Sequence, residues 1–231
     1  MVSDIHGNLT AFEAVLADLR ETAPDLIFHG GDLADAGSSP SEVVDRVRDL
    51  QWPGVLGNTD EMLFRPASLT EFGLPVPLSS AIAEMAAWTA SQLGEARLQW
   101  LRELPWQQIH APMALVHASP NDLWRAPQPE AADEAFGVYK ELAQPVVVYG
   151  HIHRSYVRDV AGMTVINSGS AGMPYDGDPR AAYLLLDDGR PSIRRVAYDV
   201  DREIARAKAS AMPRAEWVAR MLASGGPQAL A

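Results

Sequence analysis

Near the start of the chain Asp4 and His6 stand two apart at the mouth of a short apolar stretch, followed by Gly7 and Asn8. Residues two apart on an extended strand point to the same side, so this pair can offer one oxygen and one nitrogen to a single cation. Asp-x-His is a weak signal by itself, since a turn aspartate beside a surface histidine is the commoner arrangement. It gains weight from four more motifs further along the chain: Gly31-Asp32, Gly57-Asn58, Val116-His117 and Gly150-His151-Ile152-His153. Four of the six histidines fall in these motifs, and ordinary core or surface histidines have no reason to concentrate there. The sequence has no cysteine, which excludes disulfides, zinc-thiolate sites and thiol nucleophiles and leaves His, Asp, Glu and Asn as donors. Neutral imidazole combined with carboxylate suits Mn, Fe or Zn without choosing among them.

The elements that would position these donors can be read in order. The start of the chain reads as an unusually short strand. Leu9, Phe12, Val15, Leu16 and Leu19 recur at helical spacing and predict a helix packed on a sheet, with Asn8 as its N-cap. Residues 25–29 read as a buried strand that turns at Gly30-Gly31 to present Asp32. Ser39, Pro40 and Glu42 form a helix-start signature with a capping box, followed by an apolar stripe of Val43, Val44, Val47 and Leu50. Residues 54–56 are a third short strand ending at Gly57-Asn58. Residues 64–105 carry no motif; a long helical stretch rich in Leu, Met and Trp reads as core, and the segment 69–78 as a rim over the site. Strands at 113–116 and 145–149 deliver His117 and the His151-His153 pair, with a helix at 129–142 between them. The remainder has an antiparallel texture, with strands at 156–159, 163–167, 182–186 and 193–198 forming a second sheet and a turn at Asp188-Gly189. Asp201 is the expected cap of a closing helix that Pro213 breaks. Successive strands ending beside a candidate ligand match the tendency of α/β sites to gather at the strands' carboxyl ends.

With 231 residues and 47% hydrophobic content, the chain can bury a full core and reads as one domain over 1–224 with a flexible tail at 225–231. No apolar run approaches the roughly 18 residues of a membrane span, so the expectation is a cytoplasmic protein without membrane contact. A formal net charge of −11, with Lys140 and Lys208 as the only lysines, argues against tight nonspecific binding to nucleic acid, whose backbone is held mainly by Lys and Arg. Nothing fixes an oligomeric state.

The ordered set Asp-x-His, Gly-Asp, Gly-Asn, His, Gly-His-x-His resembles the calcineurin-like metallophosphoesterase superfamily along nearly the whole chain. The run Asn167-Ser168-Gly169-Ser170-Ala171-Gly172 with Asp178-Pro179-Arg180 is similar to the bacterial branch related to diadenosine tetraphosphatase and small phosphodiesterases. The resemblance implies an α/β fold, a four-layer α-β-β-α sandwich of two mixed sheets flanked by helices, with two divalent transition-metal ions, Mn favoured over Fe or Zn, at its edge. It also implies the ligand set: Asp4, His6 and His153 for one ion, Asn58, His117 and His151 for the other, and Asp32 bridging both. Two ions roughly 3.5–4 Å apart lower the pKa of a shared water, polarise phosphoryl oxygens and align attack opposite the leaving group. The implied activity is hydrolysis of a small phosphate ester by a metal-bridging hydroxide, with Asp32, Asn58 and His117 closest to the chemistry. A phosphoesterase fold kept only as a metal-binding interaction module is the alternative.

One position departs from the family pattern, whose third motif reads Gly-Asn-His; here Thr59 takes the place of the histidine. A hydroxyl donates a hydrogen bond but is a poor general acid at neutral pH. Of the spare histidines, His29 reads as a packed strand residue and His110 as a loop residue. Asn8, Thr59 and Arg154 are the candidate substrate contacts, with Arg125 and Arg180 as further phosphate clamps. Asp35 and Asp60 read as turn residues or as partners that orient a ligand histidine.

Overall fold

The computed structural model describes residues 1–160 and 162–230. It is a mixed α/β fold. A five-stranded sheet comprises β1 (Gln107–His110), β2 (Met113–Val116), β3 (Val146–Tyr149), β4 (Tyr156–Val160) and β5 (Met163–Asn167), in the spatial order β1-β2-β3-β5-β4. The three central strands run parallel and the two edges antiparallel. A smaller sheet pairs β6 (Ala181–Asp187) with β7 (Arg190–Val196). The hairpin turns at Asp188 and Gly189, both at positive φ, as the sequence predicts. The second-sheet expectation needs correction for β4 and β5: Tyr149 pairs with Asn167, so both strands extend the first sheet.

The three N-terminal segments expected as strands are joined by single parallel bridges, Val2 to His29 and His29 to Gly54. They lie beside β6 through the hydrogen bond from Leu184 N to Met1 O, 3.0 Å. Pro53 has no N–H to donate, and the chain turns away at Gly30, so the ladder does not lengthen. Even so, Phe28 and Val55 from this layer bury against Leu115, Val148 and Ile166 of the five-stranded sheet and against Leu184.

On the outer side of the N-terminal segments pack α1 (Leu9–Thr22) and α2 (Pro40–Leu50), through Phe12, Val15, Leu16, Val43, Val44 and Val47. Asn8 does cap α1, its side chain accepting from Ala11 N at 2.9 Å. Ser39 stands at the N-cap of α2 but makes no side-chain cap bond; its hydroxyl accepts from Arg206, so the capping box does not form, and Leu50 is exposed. Further helices are α3 (Asn58–Phe64), α4 (Ala67–Phe72) and α5 (Val76–Arg102), the last kinked at Gly94; α4 and the start of α5 occupy the segment expected as a loop rim. The other face of the large sheet is covered by a 3₁₀ helix, Asp133–Leu142, shorter than the expected helix, which buries Phe136, Tyr139 and Leu142. The chain closes with α6 (Val200–Ala209), capped by Asp199 and not Asp201, and α7 (Ala215–Ser224). The segment after it runs back along α7, with Trp217 Nε1 donating to Gln228 O at 2.8 Å; Ala231 lies outside the described residues. No helix among the described residues is long and apolar enough to cross a membrane.

Candidate metal centre

All seven predicted donors converge. Asp4, His6, Asp32 and His153 offer ligand atoms within 4.8 Å of one another, and all four are buried. His6 Nε2 lies 3.1 Å from His153 Nε2, and His153 Nε2 3.2 Å from Asp4 Oδ1. A second set adjoins it: Asn58 Oδ1 is 2.9 Å from both His117 Nε2 and His151 Nδ1. Asp32 stands between the sets, with Oδ2 3.6 Å from His6 Nε2 and Oδ1 3.5 Å from His117 Nε2.

The backbone fixes which nitrogens face inward. His6 Nδ1 is 2.8 Å from Asp35 O, His117 Nδ1 2.8 Å from Gly30 O, and His153 Nδ1 2.6 Å from Met173 O. A carbonyl can only accept, so each Nδ1 carries a hydrogen and each Nε2 is the nitrogen that faces the centre. His6 and His153 therefore bring their Nε2 atoms within 3.1 Å of each other, close enough for both to ligate one shared cation. Once Nε2 gives up any proton in favour of a metal, the imidazoles join carboxylates and one amide oxygen in a donor set that fits divalent Mn, Fe or Zn.

The local backbone is strained where it delivers these groups. Asp4, His6, Asp32, His151 and His153 all adopt positive φ, from 51° to 65°, a region that Asp, Asn and His tolerate better than other side chains but still sparsely. Hydrogen bonds hold the strain. His6 N donates to Asp32 O and Asp4 N to Gly31 O, each at 3.0 Å; Ser170 Oγ and Gly172 N donate to Asp4 O at 2.7 and 2.9 Å. The 167–172 run thus clamps the first motif. Thr59 N, in the first turn of α3, donates to Asp32 Oδ1 at 2.9 Å. Glycine is required at 57, where a Cβ would come within 2.1 Å of Asp32 Oδ1, and at 150, where it would meet Asp4 Oδ2 at 2.3 Å.

The electrostatics follow from burying opposite charges together. Burial raises the pKa of Asp32, but His117 together with His6 and His151 outweighs it and leaves the carboxylate well below its ordinary value; burial likewise raises Asp4, and His153 with His117 lowers it. Burial alone would lower His117, and Asp32 instead lifts it to about 9. Burial, and then the charge of His117, presses His151 down to about 4; burial and His153 lower His6. Burial also raises Asp35 and Asp60 to about 7.

The remaining candidates fall around this centre. Asn8 spends its side chain on the α1 cap and on Gly172 O, at 2.8 Å. Thr59 Oγ1 is buried without a hydrogen-bond partner among the described residues. Arg154, Arg125 and Arg180 each carry an acidic partner, Glu130, Asp122 and Asp178 respectively. Asp35 orients His6 with its backbone carbonyl while its carboxyl accepts from Thr89; Asp60 binds the amides of Leu33 and Gly57 and steadies both ligand loops. His29 is buried, its ring against Gly54 and 6.1 Å from the Trp100 ring, and His110 is exposed on β1. Sequence reasoning missed Tyr175, whose ring lies 4.5 Å from the His153 ring at a 31° tilt, and the carbonyls of Gly30 and Met173. No residue pattern announces a carbonyl acceptor, and Tyr175 belongs to no motif.

The fold and donor set define a metallophosphoesterase-type centre. The profile of the calcineurin-like phosphoesterase superfamily domain matches residues 1–189, and the chain belongs to that superfamily. It is 30% identical to an uncharacterized protein of Methanocaldococcus jannaschii, over 97% of each chain. Among solved structures it is similar to a metallophosphoesterase from Sphaerobacter thermophilus, at 30% identity and a TM-score of 0.77, covering 97% of this chain and 98% of that one. A hypothetical protein from Pyrococcus horikoshii shares the fold at a TM-score of 0.84 and 18% identity, over 98% of both chains.

Proposed function

We propose that this chain is a metal-dependent phosphoesterase that hydrolyses a small phosphodiester or nucleotide at a dinuclear site. Asp4, His6 and His153 would hold one ion, Asn58, His117 and His151 the other, and Asp32 both, with Mn favoured over Fe or Zn. The observation that carries this reading is the place of Asp32, one oxygen turned to each donor set. Two divalent ions would supply water activation and charge neutralisation of the phosphoryl oxygens.

The chain's own residues do the rest. The carbonyls on Nδ1 of His6, His117 and His153 keep those imidazoles in the ligating tautomer, and Thr59 N holds one oxygen of Asp32 toward the second set. Burial of the donors strengthens every electrostatic contact a phosphate would make. The finer architecture belongs to the same reading: a four-layer sandwich formed by one domain over 1–224, supported by the helices outside the N-terminal bridged layer and by the 3₁₀ helix outside the large sheet. Retention of all seven donors is what an enzyme requires; a metal-binding interaction module would keep them without turnover, and hydrolysis of aryl phosphate esters separates the two.

The test is elemental analysis of the purified protein together with hydrolysis of an aryl phosphodiester and an aryl phosphomonoester. Two metal equivalents and diester turnover lost on chelation are expected. A site that stays empty after reconstitution with Mn, Fe and Zn would overturn the proposal.

A further inference from the structure

An apolar cleft of about 470 Å³ opens between the start of α5, Tyr175, α7 and the segment 227–230, with Leu78, Ile82, Trp217 and Met221 in its walls. It falls within the usual size of small-molecule sites, ~300–1,000 Å³. Its position gives it meaning: Tyr175 is shared between the cleft and the metal centre. Its ring packs on His153, 4.5 Å between centroids, and the same residue lines the cleft. The backbone ties them as well, since Tyr175 N donates to His153 O at 2.9 Å.

We propose that this cleft receives a flat aromatic ring system carried by the phosphate ester, of the size of a nucleobase, while the phosphate sits at the Asp32 centre. The inference rests on the phosphoesterase reading and adds to it the part of the substrate that is not phosphate. Two aromatic residues, Tyr175 and Trp217, line it, and Pro75 and Pro77 at the start of α5 add rigid apolar surface. Planar rings prefer offset or edge contacts with aromatic side chains. Among the described residues the walls bring no cationic side chain, so the cleft suits the uncharged end of a substrate and not a second phosphate. Three of its walls come from elements far apart in sequence, which is why no motif reports it.

Adenosine 5′-monophosphate and ribose 5-phosphate carry the same sugar phosphate and differ by the base, so their affinities for the Zn-loaded full chain isolate the cleft. Ligand-observed NMR measures both and reports any turnover. The nucleotide is expected to bind at least ~10-fold more tightly, given the apolar area a buried base removes from water. Leu78→Trp, which fills the cleft from α5, is expected to bring the ratio near one by weakening the nucleotide, with metal content reporting that the variant is folded. A chain ending at Gly226 removes the opposite wall and is expected to lower the ratio too, which keeps the test decisive if Leu78→Trp does not fold. Equal binding of both ligands by the unmodified protein would overturn the cleft assignment and leave the phosphoesterase reading standing. A large ratio unchanged in both variants would likewise place the base elsewhere. Failure of both ligands to bind the metal-loaded protein would overturn both inferences.

Discussion

His29 sits in the middle of the N-terminal bridged layer, fully buried, with neither ring nitrogen hydrogen-bonded among the described residues. Its ring covers Gly54, where any Cβ would come within 2.3 Å of it, and lies 6.1 Å from the Trp100 ring. Burial presses its pKa from 6.5 to about 4. A base with a depressed pKa binds fewer protons folded than unfolded, so its effect on stability is nil above about pH 6.5, grows as pH falls toward 4, and is constant below that. At ~1.4 kcal/mol per pKa unit the full loss is about 3 kcal/mol, a sizeable share of the 5–15 kcal/mol typical of a domain. Urea unfolding at several pH values between 7 and 4, in chelator, measures it against His29→Leu. The metal-site histidines titrate in both proteins and cancel in the difference. Wild type is expected to lose about 2–3 kcal/mol more than the variant across that window, with equal m-values. Parallel decline of the two proteins would refute the buried, uncharged assignment for His29.

The metal centre yields three further expectations. Asp32→Ala should abolish activity and bind little metal, whereas Asp4→Ala should weaken chiefly one equivalent; elemental analysis separates the two, and the rise in melting temperature on adding Mn or Zn should vanish in the first variant alone. Gly57→Ala forces a methyl group against Asp32 Oδ1 and Asp32 N, which should destabilise the protein by about 1–3 kcal/mol and lower metal affinity; unchanged metal binding would show that Asp32 is not held by this contact. Thr59→His should raise turnover of alkyl phosphomonoesters relative to activated diesters, because a basic alkoxide leaving group needs the proton that a threonine hydroxyl cannot supply, a contribution of ~10²–10⁴-fold for a well-placed acid. An unchanged ratio would mean that another group serves as the acid.

Much of the candidate site was legible because its candidate donors are side chains just after strands or bridged segments, and side-chain type together with order along the chain is what a sequence displays. All seven predicted donors meet within one buried cluster and its neighbouring set. The sheets were less legible. The segments at 25–29 and 54–56 have strand composition yet make only single bridges, because Pro53 and Gly30 limit pairing in ways that hydrophobicity does not encode. β4 and β5 have the alternation of an antiparallel pair, and they are one; that the pair would join the first sheet through Tyr149 and Asn167 depends on tertiary pairing. Capping failed similarly at Ser39, whose hydroxyl is claimed by Arg206, 167 residues away.

The backbone at the metal centre explains why the motifs take the form they do. Five donors occupy left-handed conformations, at an expected cost of about 1–3 kcal/mol each for a residue held in a sparsely populated region. Such a conformation turns the chain within one residue, so that Asp4 and His6, or His151 and His153, both face the centre where a regular strand would have carried on past it. The neighbours must then be small: a Cβ at Gly150 or Gly57 would collide with the carboxylates of Asp4 and Asp32. The strain persists because the surroundings determine it from several sides, with the amides of Ala171 and Gly172 and the hydroxyl of Ser170 bound to the carbonyls of Ser3 and Asp4. On this account the glycines beside the ligands and the 167–172 run have one physical origin, the cost of turning buried donors toward a common point. Replacing Ser170 by Ala should therefore loosen the first donor set without touching a ligand, which a calorimetric metal titration would read as one weakened equivalent beside one that is unchanged.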